Sequence, residues 1–222
     1  MQRFAVRVWL PDRPGTLAAV ATGIAAMEGN VIGLEVLERS GGVAIDELMV
    51  ELPSSLTAED VSRQLQEVPG VGVEEVRPVP PDAEERGLQV IAAAIAILET
   101  ANPTASLAAL VGLAGALFDV EWSALVDVTS ESCLQATGDV PTVDWLLAFA
   151  SGARRASTTG SGVMAAELPD AGLVLCIGRA VPFRGREQRE LDMLVRVADR
   201  MCRPLRERIP QTWSSPPRFL GA

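Results

Sequence analysis

The chain has 222 residues and contains no histidine, no lysine and no tyrosine. These absences close most familiar catalytic routes. Without His there is no Ser-His-Asp triad, no Cys-His dyad and no His-ligated zinc or haem. Without Lys there is no P-loop lysine and no Schiff base. Acid–base chemistry would fall to carboxylates alone. The expectation is a protein that is not an enzyme and needs no cofactor or metal, with a carboxylate-dependent enzyme as the remaining catalytic alternative.

Cysteine is also scarce. Cys133, Cys176 and Cys202 are far apart and odd in number, which fits neither a disulfide framework nor a CxxC metal spacing. Cys176 lies in the apolar run Leu173-Val174-Leu175-Cys176-Ile177 and reads as a small buried hydrophobe. A reducing, cytoplasmic compartment is expected. Apolar runs are short: residues 88–98 and 105–118 fall below the ~20 residues of a membrane-spanning helix. Met1-Gln2-Arg3-Phe4-Ala5-Val6-Arg7 lacks the apolar core of a signal peptide.

What is present is globular. Hydrophobic residues make up 48% and charged residues 22% of the chain, and its length suits two domains. The net charge of −10 argues against a nucleic-acid partner. From Arg179 onward, however, there are ten Arg and five acidic residues. That segment is either a solvated helix face or a basic patch that needs an acidic partner, and the acidic remainder of the same chain is the nearest one.

Periodicity sets the order of elements. Phe4, Val6, Val8 and Leu10 alternate as a strand, and Leu17, Val20, Ala21, Ile24 and Met27 form a helical stripe. Strands follow at 31–38 and 43–52, joined at Ser40-Gly41-Gly42. The apolar phase slips between Ile45 and Leu48, which predicts a bulge near Asp46-Glu47. Thr57 caps a second helix carrying Val61, Leu65 and Val68, and Pro69-Gly70 leads to a strand at 71–79. The order strand, helix, strand, strand, helix, strand fits a ferredoxin-like α+β sandwich over residues 1–79.

A Pro-rich linker at 80–85 precedes a second domain at 86–208, and residues 209–222 form a flexible tail. In the second domain Leu88, Ile91, Ile95 and Leu98 make a stripe on a helix expected to be buried. Pro103 starts a further helix ending near Phe118. Strand pairs are expected at 122–128 with 133–137 and at 163–168 with 172–179. Helices are expected at 143–155 and from Gly185, the last with Leu191, Leu194, Ala198, Met201 and Leu205 inward. Gly160-Ser161-Gly162 has the form of a nucleophile loop, but no His exists to activate the serine, so it reads as a flexible loop. Asp46-Glu47 and Glu74-Glu75 are neighbours on strands, face opposite sides, and make no acid–base couple.

Three features in order carry a resemblance over residues 3–79. They are Asp12-Arg13-Pro14-Gly15-x-Leu17 between the first strand and helix, Gly29-Asn30-Val31 opening the second strand, and Pro69-Gly70-Val71 opening the fourth. With the βαββαβ order they resemble the ACT family of small amino-acid-sensing domains. The residues agree with that reading. Gly15 lacks a Cβ, so a ligand can approach the backbone, and it starts a helix whose N–H groups favour a carboxylate. Asp12 or a backbone carbonyl can accept from an ammonium group, although Asp12 equally fits a plain helix cap, and Asn30 can donate and accept. Asn30 would sit across from the turn if strands one and two open at the same end of the sheet. The resemblance implies a ligand set of Asp12, Arg13, Pro14, Gly15, Asn30 and Val31. Taken singly, Gly15 and Asn30 also fit ordinary turn chemistry.

Residues 84–208 resemble GAF-type sensor domains. The likeness rests on helices flanking an antiparallel sheet, on Ala124-Leu125-Val126-Asp127, on Ala136-Thr137-Gly138, and on Pro182-Phe183 between the last strand and helix. The section at 143–155 is shorter than the family's usual stretch. The combined expectation is a regulatory protein binding a small effector, an amino acid, and acting through ligand-biased pairing of domains or subunits as a homodimer. The alternative is an assembly subunit whose ACT-type fold binds no ligand.

Overall fold

The computed structural model describes residues 1–82, 85–153 and 160–207. The described residues are mixed α+β, with two four-stranded sheets among them. Its first sheet comprises β1 (Gln2–Pro11), β2 (Asn30–Ser40), β3 (Val43–Leu52) and β4 (Gly72–Val79), with α1 (Thr16–Ala26) and α2 (Ala58–Gln66) between strands. The strand order β2-β3-β1-β4, antiparallel at each pairing, is that of a ferredoxin-like sandwich. It places β2 at one edge, as the connectivity predicts.

One face of this sheet forms an apolar core. Phe4, Val6, Val8 and Leu10 of β1 pack with Leu48, Val50 and Leu52 of β3, Val20 and Ile24 of α1, and Val61 and Leu65 of α2. The start of α2 is fixed locally. The Thr57 hydroxyl accepts from the Asp60 N–H at 3.2 Å, and the Asp60 carboxylate accepts from the Thr57 N–H at 3.0 Å. This reciprocal cap satisfies two donors that a helix start leaves open.

The bulge expected in β3 is not there: β1 and β3 pair without a break from Gln2↔Leu52 to Pro11↔Val43. The irregularities lie in β2, at Val31/Gly33 and Val36/Glu38, and between β1 and β4 at Arg7/Val8. The apolar phase slips because Asp46 and Glu47 are both largely buried, at 2% and 9% exposure, on opposite faces of an unbroken strand.

The remaining elements are α3 (Arg86–Leu98), α4 (Pro103–Leu117), β5 (Trp122–Asp127), β6 (Ser132–Gly138), α5 (Val143–Ala153), β7 (Val163–Leu168), β8 (Leu173–Gly178) and α6 (Gly185–Glu207). The second sheet runs β6-β5-β8-β7. Asn102 caps α4 by accepting from the Ala105 N–H at 2.9 Å. β8 is buried along its whole length, and Cys176 within it has its thiol pushed up to about 12 by burial, so it acts as a hydrophobe. On α6, Leu191, Leu194 and Ala198 are buried as expected and Met201 is half-buried; the side chain of Leu205 lies outside the described residues. So do residues 154–155 of the expected fifth helix, part of the 157–162 loop, and the tail.

The stripe on α3 is a correction. Leu88, Ile91, Ile95 and Leu98 are all exposed, and Ala93 and Ile97 are the residues α3 buries. The helix has apolar residues on more than one face, and its smaller face is the one that packs. No described helix is long and apolar enough to cross a membrane.

Two compact units emerge. The first comprises the described residues of Met1–Ile91, Ser157–Met164 and Gly178–Glu190; the second comprises the described residues of Ala92–Ala156, Ala165–Ile177 and Leu191–Ala222. The first unit thus adds the start of α3 and the start of α6 to the N-terminal sheet.

Candidate functional site

The turn from β1 into α1 is tied down by hydrogen bonds within itself and to the turn between β2 and β3. The Asp12 N–H donates to the Gly42 carbonyl at 2.8 Å, the Arg13 N–H to the Pro11 carbonyl at 2.9 Å, and the Thr16 hydroxyl to the Arg13 carbonyl at 3.2 Å. Gly15 is the N-cap of α1 with φ +92°, and a Cβ built there meets nothing within 4 Å. The left-handed backbone favours glycine, and the space in front of it is open. Asp12, Arg13, Pro14 and Gly15 are all exposed. The Asp12 carboxylate lies 3.7 Å from the exposed Arg39 guanidinium.

Asp46 belongs to this end of the sheet, and sequence reasoning missed it. It is buried opposite Val8 of β1, and its Oδ1 has no hydrogen-bond partner. Burial pushes its carboxyl up, Arg39 pulls it down and Asp12 pushes it up again. The sequence signal was the acidic residue breaking the apolar alternation of β3.

Asn30 and Val31 lie elsewhere. Asn30 is exposed at the start of β2, paired with Glu51, and Val31 packs against the apolar core. Strands β1 and β2 do open at the same end, since Glu51 also pairs with Arg3. The turn, however, follows the end of β1. From Arg3 to Pro11 is a strand length of about 27 Å at the usual rise. A single chain therefore groups Asp12, Arg13, Pro14 and Gly15 with Asp46, and holds Asn30 and Val31 at the far end.

On the sheet face away from α1 and α2 there is a buried ionic cluster within the first unit. Arg7 is 1% exposed. Its Nη2 donates to Glu47 at 2.9 Å and to Glu187 at 3.1 Å, and its Nη1 donates to the Pro182 carbonyl at 3.2 Å. Glu187 also accepts from Arg179 Nη2 at 2.8 and 2.9 Å and from the Arg184 N–H at 2.8 Å. Arg86 Nε donates to Glu190 at 2.7 Å, and its Nη2 lies 3.5 Å from Glu187. Burial would raise the Glu187 carboxyl, but Arg7, Arg179 and Arg86 together hold it below the usual carboxylate range.

The basic C-terminal stretch thus divides. Arg179, Arg184 and Arg186 pair with Glu187, Glu74 and Glu35, and Glu74 is the extra residue of the β1–β4 irregularity. Arg189, Arg196 and Arg200 are exposed on α6 and form the solvated face, while the side chains of Arg203 and Arg206, and all of Arg208 and Arg218, lie outside the described residues. Ser161 is held in a local turn, its hydroxyl donating to the Val163 carbonyl at 2.8 Å. Among the described residues no group of acids and cysteines is placed to hold a metal ion.

No curated protein matches the chain. It is similar to an unknown protein from Galdieria sulphuraria whose crystal structure is known. The identity is 15% over 90% of this chain and 92% of that one, with a TM-score of 0.32. The family whose model does match is the ACT domain, and it matches residues 4–70.

Proposed function

We propose that the chain is a non-catalytic regulatory protein whose N-terminal ACT-type domain binds an amino acid at the β1–α1 turn. The observation that carries this reading is the open, left-handed backbone at Gly15 inside the segment that matches the ACT family. The ligand carboxylate faces the start of α1, where helix N–H groups and the dipole favour an anion. Its ammonium faces Asp12 and Asp46, the latter with a buried oxygen that lacks a partner.

Asn30 and Val31 join the site only across a two-fold axis. Antiparallel pairing of β2 with its copy brings the Asn30 end of one protomer beside the turn end of the other. β2 stands at the sheet edge, and Ile32, Leu34 and Val36 are exposed along it. An edge of that kind invites a second strand. Ligand binding at the seam then shifts the monomer–dimer population, and that shift is the signal. Residues 86–208 serve as a GAF-like sensor or output domain in this scheme, and a reducing cytoplasm is the compartment.

A thermal-shift screen of the full chain against the standard amino acids tests the proposal. A ligand at 100-fold over its Kd adds ~2.7 kcal/mol, which is about 5–10 °C for a chain of this size. Gly15→Val removes the part of the shift that comes from the turn site but also strains a left-handed backbone. Gly15→Asn fills the same space with a residue that tolerates φ > 0, so loss in both variants assigns the effect to the site. Light scattering with Leu34→Pro tests the dimer: a monomeric variant supports the β2 seam. A dimer that survives moves the interface to another surface, for which the exposed stripe of α3 is the leading candidate.

A further inference from the structure

The first unit holds a cavity of about 530 Å³ on the sheet face away from α1 and α2. Its walls come from β2, β3, the start of β1, residues 85–87 and Arg186, all within that unit. The volume falls in the range of small-molecule sites. It is separate from the turn at Gly15, and neither Asp12 nor Asn30 lines it.

Three properties specify what it takes. The first is an acceptor without a donor. Glu35 has its Oε1 3.4 Å from Arg186 Nη2, while its Oε2 is buried and has no hydrogen-bond partner. Burial pushes this carboxyl up against the pull of Arg186 and Arg86, so a further cation beside it would be stabilised. The second is a pair of partly exposed guanidinium groups in the wall: Arg3, whose Nε donates to Glu51 at 2.9 Å, and Arg186, whose Nε donates to Glu190 at 2.9 Å. Arg forks suit a carboxylate. The third is an apolar share of the lining from Ile32, Leu34 and Met49.

The lining itself carries Arg3, Arg86 and Arg186 against Glu35, Glu47 and Glu85, and Glu47 and Arg86 belong to the ionic cluster with Arg7, Arg179, Glu187 and Glu190, so neither the wall nor the cluster behind it favours a ligand of one sign. An acceptor for a cation, donors for an anion and an apolar strip in one cavity match a molecule that carries all three.

We infer that this cavity is a second ligand site, for an aliphatic amino acid: the ammonium binds Glu35, the carboxylate binds the Arg3 and Arg186 guanidinium groups, and the side chain lies along Met49 and Ile32. This site does not depend on the turn site, and its occupancy bears on β2, the strand proposed as the dimer seam.

The test is calorimetric titration of the full-length Gly15→Asn chain, in which the turn site is blocked. The probes are L-leucine, L-isoleucine and L-methionine, with 4-methylpentanoate and 3-methylbutylamine as leucine analogues lacking one charge each. At least one of the three amino acids is expected to bind with one site per chain, and each single-charge analogue binds at least about tenfold more weakly than leucine. Adding Glu35→Gln weakens the amino acid by about 10- to 100-fold. Adding Gly87→Leu abolishes binding, because Gly87 lines the cavity and a Cβ there meets nothing within 4 Å, leaving room for the new side chain. That substitution replaces a helical glycine, so the fold is retained. If none of the three binds in the Gly15→Asn chain, the cavity site is wrong while the turn site stands or falls on its own screen. Binding that ignores both Glu35→Gln and Gly87→Leu equally overturns the cavity assignment.

Discussion

The two faces of the first sheet are closed by different means. On the side of α1 and α2, Phe4, Val6, Val8 and Leu10 are buried among other apolar side chains. On the other side Arg7, one position away from two of those residues, is buried between Glu47 and Glu187. The apolar face is held by transfer of surface from water, which takes up no proton and is not weakened by charge screening. The ionic face depends on each charge having its partner, because an uncompensated buried charge costs several kcal/mol. One sheet therefore carries a robust face and a conditional one.

The largest expected effect comes from breaking the conditional face. Glu187→Gln leaves Arg7 and Arg179 short of a counter-charge and lowers unfolding free energy by about 3–5 kcal/mol, measured by urea titration. Leu65→Ala, on the robust face, costs about 3 kcal/mol by cavity formation. The two separate by pH. Glu187 is held below the usual carboxylate range, so its stabilisation is fully present above that range and is lost as pH falls through its depressed value. The gap between wild type and Glu187→Gln therefore closes in acid, whereas the gap to Leu65→Ala stays constant. A gap for Glu187→Gln that is flat with pH would remove the ionic explanation.

Smaller effects sharpen the contrast. Thr57→Ala removes the reciprocal cap of α2 and costs about 1 kcal/mol in the same titration. Arg63→Ala breaks only exposed pairs with Glu59 and Asp60 and leaves the midpoint unchanged.

The same contrast explains what could be read from the sequence. Alternation in β1, the stripe of α1, the cap at Thr57 and the turn glycines are local signals, and the β2-edge sandwich follows from them. Arg7 and Glu47 were opaque because their partners lie far along the chain, at Glu187 in the case of Arg7. For the same reason a strand with two buried acids read as a bulged one. Residue spacing placed a stripe on α3 but could not say which face of a largely apolar helix packs, and Leu88, Ile91, Ile95 and Leu98 proved to be the outer one. At the candidate site the turn was legible from Asp12, Arg13, Pro14 and Gly15. Asp46 was not, since its approach to Asp12 needs the β1–β3 pairing. Nor was the separation of Asn30 from the turn, which depends on strand register.

The most direct test of the regulatory reading is equilibrium binding of the standard amino acids to the full-length chain, with wild type, Gly15→Asn and Asp46→Asn compared side by side. At least one amino acid is expected to bind saturably at a site that is lost in Gly15→Asn and weakened about 10- to 100-fold in Asp46→Asn, while the cavity site is retained in both variants and all three chains are folded by circular dichroism. Wild-type chain that binds none of them, or in which no amino acid loses a binding site in Gly15→Asn or is weakened in Asp46→Asn, contradicts the regulatory reading.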